Sequence, residues 1–308
     1  MAEVLVIVVT FNAEEWVPKC LGSIRTSSVP ADVMVVDNGS TDGTCDFIET
    51  SYPEVKLVVN EDNIGFGAAN NIGLQAALDG GYNFVYLLNQ DARLEKNTIA
   101  GLLEAFTPEY GILSPVQVDD RGRLDKRFAK KCGKFLKAAR QNVAEVSRED
   151  AMRAKSFMQA DGEVARVEVP FVMAAHWMIT RTALQKVGGF SPAFLQYGED
   201  DNYIDRLHYF GLKCGVVPSV KGVHDRAKRK MTRPQKMALK CISTVVKTSN
   251  PSHSFFWRRI LEPLELVGMG IKNISLIPFR YIPELTSRYP ELRRLRADSK
   301  KEGAFLNI

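Results

Sequence analysis

Histidine and cysteine are scarce in this chain, four and five among 308 residues. The cysteines (Cys20, Cys45, Cys132, Cys214, Cys241) are odd in number, scattered and without a C-x-x-C pair. That argues against a disulfide framework or a structural zinc site and fits a reducing cytoplasm. No run reaches the roughly 18 uninterrupted apolar residues of a spanning helix. The opening "MAEVLVIVVTFN" has no basic n-region and too short an apolar run for a signal peptide, so it reads as a first strand. There is no internal repeat and no low-complexity tract. No G-x-G-x-x-G follows the first strand, and the "GFG" at 65–67 comes after the third strand with Asn70 where the fingerprint needs glycine. A dinucleotide-dependent oxidoreductase is therefore disfavoured, as is a nucleotidylyltransferase, whose G-x-G-T-R signature is missing.

What is present is ordinary globular material: 45% apolar residues and a net charge of +5. That mild excess is compatible with anionic partners and does not diagnose nucleic acid. "VLVIVVT" (4–10), "VMVVD" (33–37), "VKLVVN" (55–60) and "FVYLLN" (84–89) are β-rich runs, apolar on both faces. Such runs suit parallel strands covered on both sides. Residues 13–26, 66–79 and 95–106 carry helical periodicity between them, with Trp16, Val17, Cys20, Leu21 and Ile24 on one face of the first. Alternation with short connections predicts an α/β domain with right-handed crossovers. Apolar patterning returns at 167–190, a helix is expected over 199–210, and "KCGVVP" (213–218) reads as another strand.

Two stretches have a different texture. Residues 120–165 are rich in Lys and Arg with few large apolar residues, and read either as a solvated helix pair or as a flap over an acceptor site. From 228 to 308 the chain is basic and helical, with Lys228, Arg229, Lys230, Arg233 and Lys236 ahead of apolar stretches interrupted by Pro278 and Pro283. A helical extension packed on the main domain, a peripheral membrane contact and a dimer surface are three readings of it. The expected organisation is a domain over 1–227, with the 120–165 excursion, and a helical extension over 228–308. No recognisable nucleic-acid module is present.

In open α/β sheets ligands sit beyond the carboxyl ends of the strands, and the polar residues fall there. Strand one ends in Thr10-Phe11-Asn12 and strand two in "DNGSTDGT" with Asp37 and Asn38. Strand three leads into "NEDNIGFGAANNIG", and strand four ends in Asn89-Gln90-Asp91. Each ending alone has a turn explanation; the four together on one edge favour a ligand crevice. Asp91 is either a turn residue or a metal ligand. Glu199-Asp200-Asp201 opens a helix, where acids are favourable against the macrodipole, but three in succession exceed what capping requires.

"VVTFN", "VVDNGSTDGT", "NIGFGAANNIG", "LLNQDA" and "YGEDDNYIDRLHYFG", in this order over residues 3–226, resemble the family-2 glycosyltransferases, in particular bacterial rhamnosyltransferase-like members that build cell-surface polysaccharide. The resemblance implies a GT-A fold, a Rossmann-like mixed sheet flanked by helices. It also implies a nucleotide-diphospho-sugar donor (UDP- or dTDP-linked), a divalent Mn²⁺ or Mg²⁺, and inversion at the anomeric carbon. It assigns Thr10, Asn12, Asp37, Asn38, Asn63, Gly65, Asn70 and Gln90 to the nucleotide sugar, with Asp37 on the base. Asp91 becomes the metal ligand of a D-x-D-like element in which Asn89 replaces the first aspartate, and His224 in "GVHD" contacts the metal or diphosphate. Asp200 becomes the general base, with Glu199 or Asp201 orienting it or the acceptor. His176 and Trp177 either line the donor–acceptor boundary or simply pack.

The resulting expectation is an inverting transferase delivering a sugar to a hydroxyl of a glycan or polyprenyl-linked acceptor, cytoplasmic or peripheral on the inner face of the plasma membrane. The competing readings are a non-catalytic nucleotide-sugar-binding subunit and a membrane scaffold acting through the basic tail.

Overall fold

The computed structural model describes residues 3–145, 165–225 and 231–307; Lys228, Arg229 and Lys230 lie outside the described residues, as does 146–164 of the basic excursion. Four parallel strands form the first half of a nine-stranded sheet: β1 (Val4–Thr10), β2 (Asp32–Asp37), β3 (Lys56–Val59) and β4 (Phe84–Asn89), in the order β3-β2-β1-β4. Helices α1 (Val17–Arg25), α2 (Thr44–Ser51) and α3 (Phe66–Asp79) connect them. The uninterrupted apolar runs have a simple cause. In β1, Leu5 and Ile7 face Ala69, Leu74 and Ala77 of α3, whereas Val4, Val6 and Val8 face Val17, Cys20 and Leu21 of α1. Both pleat faces are core, so alternation disappears. Helix α1 begins later than periodicity alone indicates, because Pro18 fits only the first turn.

The second half is antiparallel and mixed. A short β5 (Ala92–Leu94) follows β4 and precedes α4 (Thr98–Ala105); then come β6 (Tyr110–Val118), α5 (Lys126–Glu145), β7 (Val167–Val169), β8 (His176–Thr180), α6 (Arg181–Val187), α7 (Glu199–Tyr209) and β9 (Lys213–His224). Strand β8 pairs antiparallel with β4, and the path continues through β6 to β9 and β5. Two expectations are corrected here. The last strand does not stop at Pro218. It leaves its partner β6 over 218–220, where proline has no N–H to donate, and pairs again from Lys221 to Val223. Its end is held by β5, with Ala92 opposite His224. The start of the basic excursion is likewise more than a solvated surface: in α5, Phe128 and Cys132 are fully buried in the main core. Asp125 starts that helix by accepting the backbone N–H groups of Arg127 and Phe128 at 2.9 and 2.8 Å.

Four helices complete the chain: α8 (Arg233–Ser249), α9 (Phe255–Asn273), α10 (Ile277–Ser287) and α11 (Tyr289–Asp298). Thr232 and Gln235 form a capping box at the start of α8. Cys241, Val245, Leu266, Leu285 and Leu292 make a separate small core, closed on one side by Ala193 and Phe194 from the loop before α7. The terminal segment returns to the sheet domain, where the Ala304 carbonyl accepts from Gly189 N and Asn307 N donates to Gln75 Oε1 (2.9 and 2.8 Å). Fully buried Arg206 of α7 ties this junction. Its guanidinium donates to the carbonyls of Gly189 (2.6 Å) and Val187, and lies over the Phe305 ring at 4.7 Å. Burial pulls the guanidinium pKa down to about 10.

Replacing Arg206 with methionine leaves two buried carbonyls without their charged donor, so the fold should lose about 3 kcal/mol. A urea melt should show a lower midpoint at unchanged slope; an unshifted midpoint would mean the junction is held by the apolar contacts alone.

Candidate active site

At the carboxyl edge of the parallel strands lies a cavity of about 500 Å³. Strand register builds it. Thr10 stands opposite Asp37 in β2, and Val9 opposite Asn89 in β4, so the three strand tips end level. Thr10, Asn38, Asn63 and Gly65 form the wall beyond β1–β3. Gln90, Asp91 and His224 form the wall beyond β4 and β9, and Glu199 and Asp200 face them from the start of α7.

Of the assigned residues, Asp37, Asn12 and Asn70 are nearby but not in the wall. Asp37 is fully buried; its carboxylate accepts from Thr10 Oγ1 (2.7 Å), Ser40 N (2.8 Å) and Ser40 Oγ (2.5 Å). It fixes the β1 and β2 tips to each other. Asn12, at a left-handed φ of 47°, accepts from Thr41 N on its side-chain Oδ1 at 2.9 Å and donates its own backbone N–H to Ser40 Oγ at 2.8 Å. Asn70 is buried, donating to the Phe66 carbonyl within α3. Asn38 bridges the two loops, accepting from Asn60 and donating to the Gly65 carbonyl at 3.3 Å. Gln90 exchanges bonds with the backbone of Phe11 (2.8 and 3.3 Å), a side chain imitating a strand partner. Gly65 has a φ of 89°, and a Cβ there would strike the Leu195 carbonyl. Only glycine lets the α3 loop meet the loop leading to α7.

His176 and Trp177, expected at a donor–acceptor boundary, lie behind the wall. Both are fully buried because β8 is an interior strand between β4 and β6. His176 Nε2 lies 3.0 Å from the Val223 carbonyl, which can only accept, so Nε2 carries the proton and Nδ1 accepts from Tyr86 at 3.0 Å. Burial, with His224 nearby, drops its pKa to about 3 and keeps it neutral. Trp177 donates to the Val172 carbonyl and packs on Phe190 and Tyr203.

Tyr197 (φ 67°) and Gly198 (φ 89°) both take left-handed backbone immediately before α7. A tyrosine in that region is strained, and such residues concentrate where a loop is fixed for a purpose. The turn delivers three acids into one helical turn. Burial first, and then the Asp200 charge, raises the Glu199 carboxyl to about 8. Burial and the Asp201 charge raise Asp200 to about 6. Glu199 Oε2 is buried with no hydrogen-bond partner among the described residues. Asp201 points away from the cavity toward Lys131 Nζ of α5, 3.5 Å away.

The metal question rests on the donor set. His224 Nε2 lies 3.3 Å from Asp91 Oδ1, with both side chains almost wholly buried. Asn89, also in the wall, has a buried Oδ1 without a hydrogen-bond partner among the described residues. A carboxylate, an amide oxygen and an imidazole fit a hard divalent cation that takes its other ligands from diphosphate and water. Among the described residues no group of three or more His, Cys, Asp or Glu could hold a metal unaided.

Of the charged side chains in the wall, sequence reasoning missed Arg127, in the first turn of α5. It sits in a stretch that reads either as a solvated helix pair or as a flap over an acceptor site. The available signal was the 128/132/135/136 spacing of Phe, Cys, Phe and Leu, an amphipathic face that obliges the helix to pack.

Residues 5–188 match the family model described as glycosyl transferase family 2. The chain belongs to that family. It is 27% identical over 275 residues to the N-acetylglucosaminyl-diphospho-decaprenol L-rhamnosyltransferase of Mycobacterium tuberculosis, covering 85% of this chain and 89% of that protein. Its fold resembles a Pyrobaculum calidifontis mannosyltransferase solved with GDP-Man and Mn²⁺, with a TM-score of 0.52 at 20% identity over 97% of this chain and 74% of that one. It also resembles S. aureus TarS 1–349 in complex with UDP-GlcNAc, with a TM-score of 0.51 at 15% identity over 96% and 88%. The family-2 glycosyltransferase thus has a GT-A fold, and lipid-linked glycan or polysaccharide synthesis is the setting its relatives support.

In this glycosyltransferase the raised carboxyl groups reverse the usual acid-range behaviour. The folded state holds protons on Glu199 and Asp200 more tightly than the unfolded chain does. Their contribution to stability is therefore complete below the ordinary carboxyl range and is lost as pH rises through about 6 and then about 8. Burial raises Asp205 to about 6 as well, adding to the lower step. Melting temperature should accordingly fall between about pH 4 and pH 8, and Glu199→Gln should remove the upper part of that decline, between about pH 6 and pH 8. An identical decline in the variant would contradict the assignment.

Proposed function

We propose that the protein is an inverting transferase that moves a sugar from a UDP- or dTDP-linked donor to a hydroxyl of a polyprenyl-diphosphate-linked acceptor in cell-surface polysaccharide synthesis. One observation carries the reading: a half-buried carboxylate, Asp200, opens on the same cavity as the Asp91–His224 pair. The acceptor hydroxyl gives its proton to Asp200 as its oxygen bonds to the anomeric carbon. The bond from that carbon to the diphosphate oxygen breaks, and its electron pair leaves with the nucleotide. A carboxylate held at about 6 is a stronger base than an ordinary aspartate and is still ionised near neutral pH. Asn38, Asn63 and Thr10 hold the nucleotide side of the donor, and Asp37 acts from behind by keeping that wall in register. When bound, a divalent Mn²⁺ or Mg²⁺ at Asp91, His224 and Asn89 supplies positive charge to the departing diphosphate. Arg127, also lining the cavity, adds a further cation.

The decaprenol-linked acceptor named for the mycobacterial relative supports the choice of acceptor. The GDP-Man, UDP-GlcNAc and Mn²⁺ named for the structural neighbours support a nucleotide sugar and a metal.

Asp200→Asn should lower kcat on the order of 10²–10⁴-fold while leaving donor affinity unchanged. Isothermal titration beside turnover would separate the two, and equal losses would remove Asp200 from the role of base. Product NMR should show the anomeric configuration inverted, because a single displacement from the base side leaves no covalent sugar intermediate. Retention would overturn the mechanism.

A further inference from the structure

Helix α9 is built the wrong way round for a helix that faces water. Leu266, Gly270 and the carboxylate of Glu262 face the protein, while Phe256, Trp257, Ile260, Leu261, Leu264 and Ile271 are exposed. Trp257 is 60% and Leu264 61% exposed. At ~100° per residue these six positions fill one arc of roughly 140°. Val267 and Gly268 fall inside the same arc and no charged residue does. The turn after the helix continues the surface with Ile274, at 94% exposure, and Leu276. Single exposed leucines need no explanation, but a contiguous patch of this kind marks an interaction surface.

Charge identifies what covers it. Residues 231–283 contain eight basic side chains and two acidic ones, Glu262 and Glu265. Both acids are already in ion pairs, Glu262 with Arg258 at 2.8 Å and Glu265 with Lys247 at 2.6 Å. The other six cations (Arg233, Lys236, Lys240, Arg259, Lys272 and Arg280) have no acidic counterpart left in this span. Lys272 borders the arc on the helical wheel. Arg233 reaches the carbonyl of Asn273 at 3.2 Å, which brings the basic start of α8 to the end of α9. A second copy of this chain would set like charges against each other. An apolar arc bordered by Lys272, with the basic start of α8 beside its C-terminal end, matches a bilayer carrying anionic headgroups. Among the described residues no helix is long and apolar enough to cross a membrane, so the contact lies in the plane of the interface.

We infer that α9 and the following turn dock this protein on an anionic lipid surface, with Trp257, Leu264 and Ile271 entering the acyl boundary. The helices are joined to the catalytic loop: Ala193 and Phe194 belong to their core, and the Arg288 guanidinium donates to the Ala193 carbonyl at 2.7 Å. Docking would thus hold the cavity beside a membrane. The biological reason rests on the lipid-linked acceptor proposed above; the surface itself rests on exposure and charge alone.

The test is flotation of the full chain with phosphatidylglycerol-containing vesicles and with pure phosphatidylcholine vesicles, followed by tryptophan emission. Binding should require the anionic lipid, weaken with salt, and shift emission to the blue, a shift absent in Trp257→Phe. Leu264→Glu combined with Ile271→Glu should reduce binding at least tenfold, and Lys272→Ala roughly fivefold. Both variants should keep turnover on a water-soluble acceptor. No binding to anionic vesicles would overturn the inference, as would equal binding to neutral ones. A solution dimer of the wild type that the double variant dissociates would reassign the arc to a second copy. Vesicle binding by a protein that transfers no sugar would uphold docking while the proposed function fails.

Discussion

The site depends on strand register before it depends on any catalytic group. Thr10 is level with Asp37, Val9 with Asn89, and Ala92 with His224. A slip of one residue in any of these pairings would turn each side chain of that strand to the opposite face. The register is specified by cores on both faces of β1, and sealed at the tip by the Asp37 carboxylate bonded to Thr10 and Ser40. Asp37 therefore shapes the crevice without appearing in it.

The second constraint is the cost of crowding acids where water is excluded. Glu199 and Asp200 are held in one helical turn by a loop with two successive left-handed residues, and burial raises both carboxyls. Neither effect favours folding. The compensation is spread through the packing of α7, where Arg206 satisfies the carbonyls of Val187 and Gly189 and Tyr203 sits among the core aromatics. A carboxylate with a raised pKa, set by a fixed loop and supported by a packed second layer, is the arrangement that general-base chemistry needs.

Much of this was legible in the sequence, and the gaps have physical causes. The β-rich runs and their polar ends gave away the sheet and its ligand edge, because burial on both faces removes alternation and leaves polarity only at the tips. The long β9 was hidden, since Pro218 looks like a stop and only partner strands on both sides carry the chain to His224. Arg127 was hidden by the lysines around it. His176 allowed two readings in the sequence, the donor–acceptor boundary or packing, and the structure gives the second: it holds the Val223 carbonyl from inside. Sequence reveals that a polar residue sits at a strand end; whether it faces the cavity or braces it depends on partners distant in the chain. The exposed arc of α9 has the same origin: its apolar residues fit packing, a membrane contact or a dimer surface alike until the other face of the helix proves to be the buried one.

The central claim is that the strand-tip cavity holds a pyrimidine nucleotide sugar with a divalent cation. Thermal unfolding measured against UDP, dTDP, GDP and ADP, each with and without Mn²⁺, tests it most directly. A ligand at 100 times its dissociation constant adds about 2.7 kcal/mol to stability. The account predicts a shift with UDP or dTDP that Mn²⁺ enlarges and Asp91→Ala removes. No shift with any nucleotide, or a shift indifferent to both metal and Asp91, would contradict it.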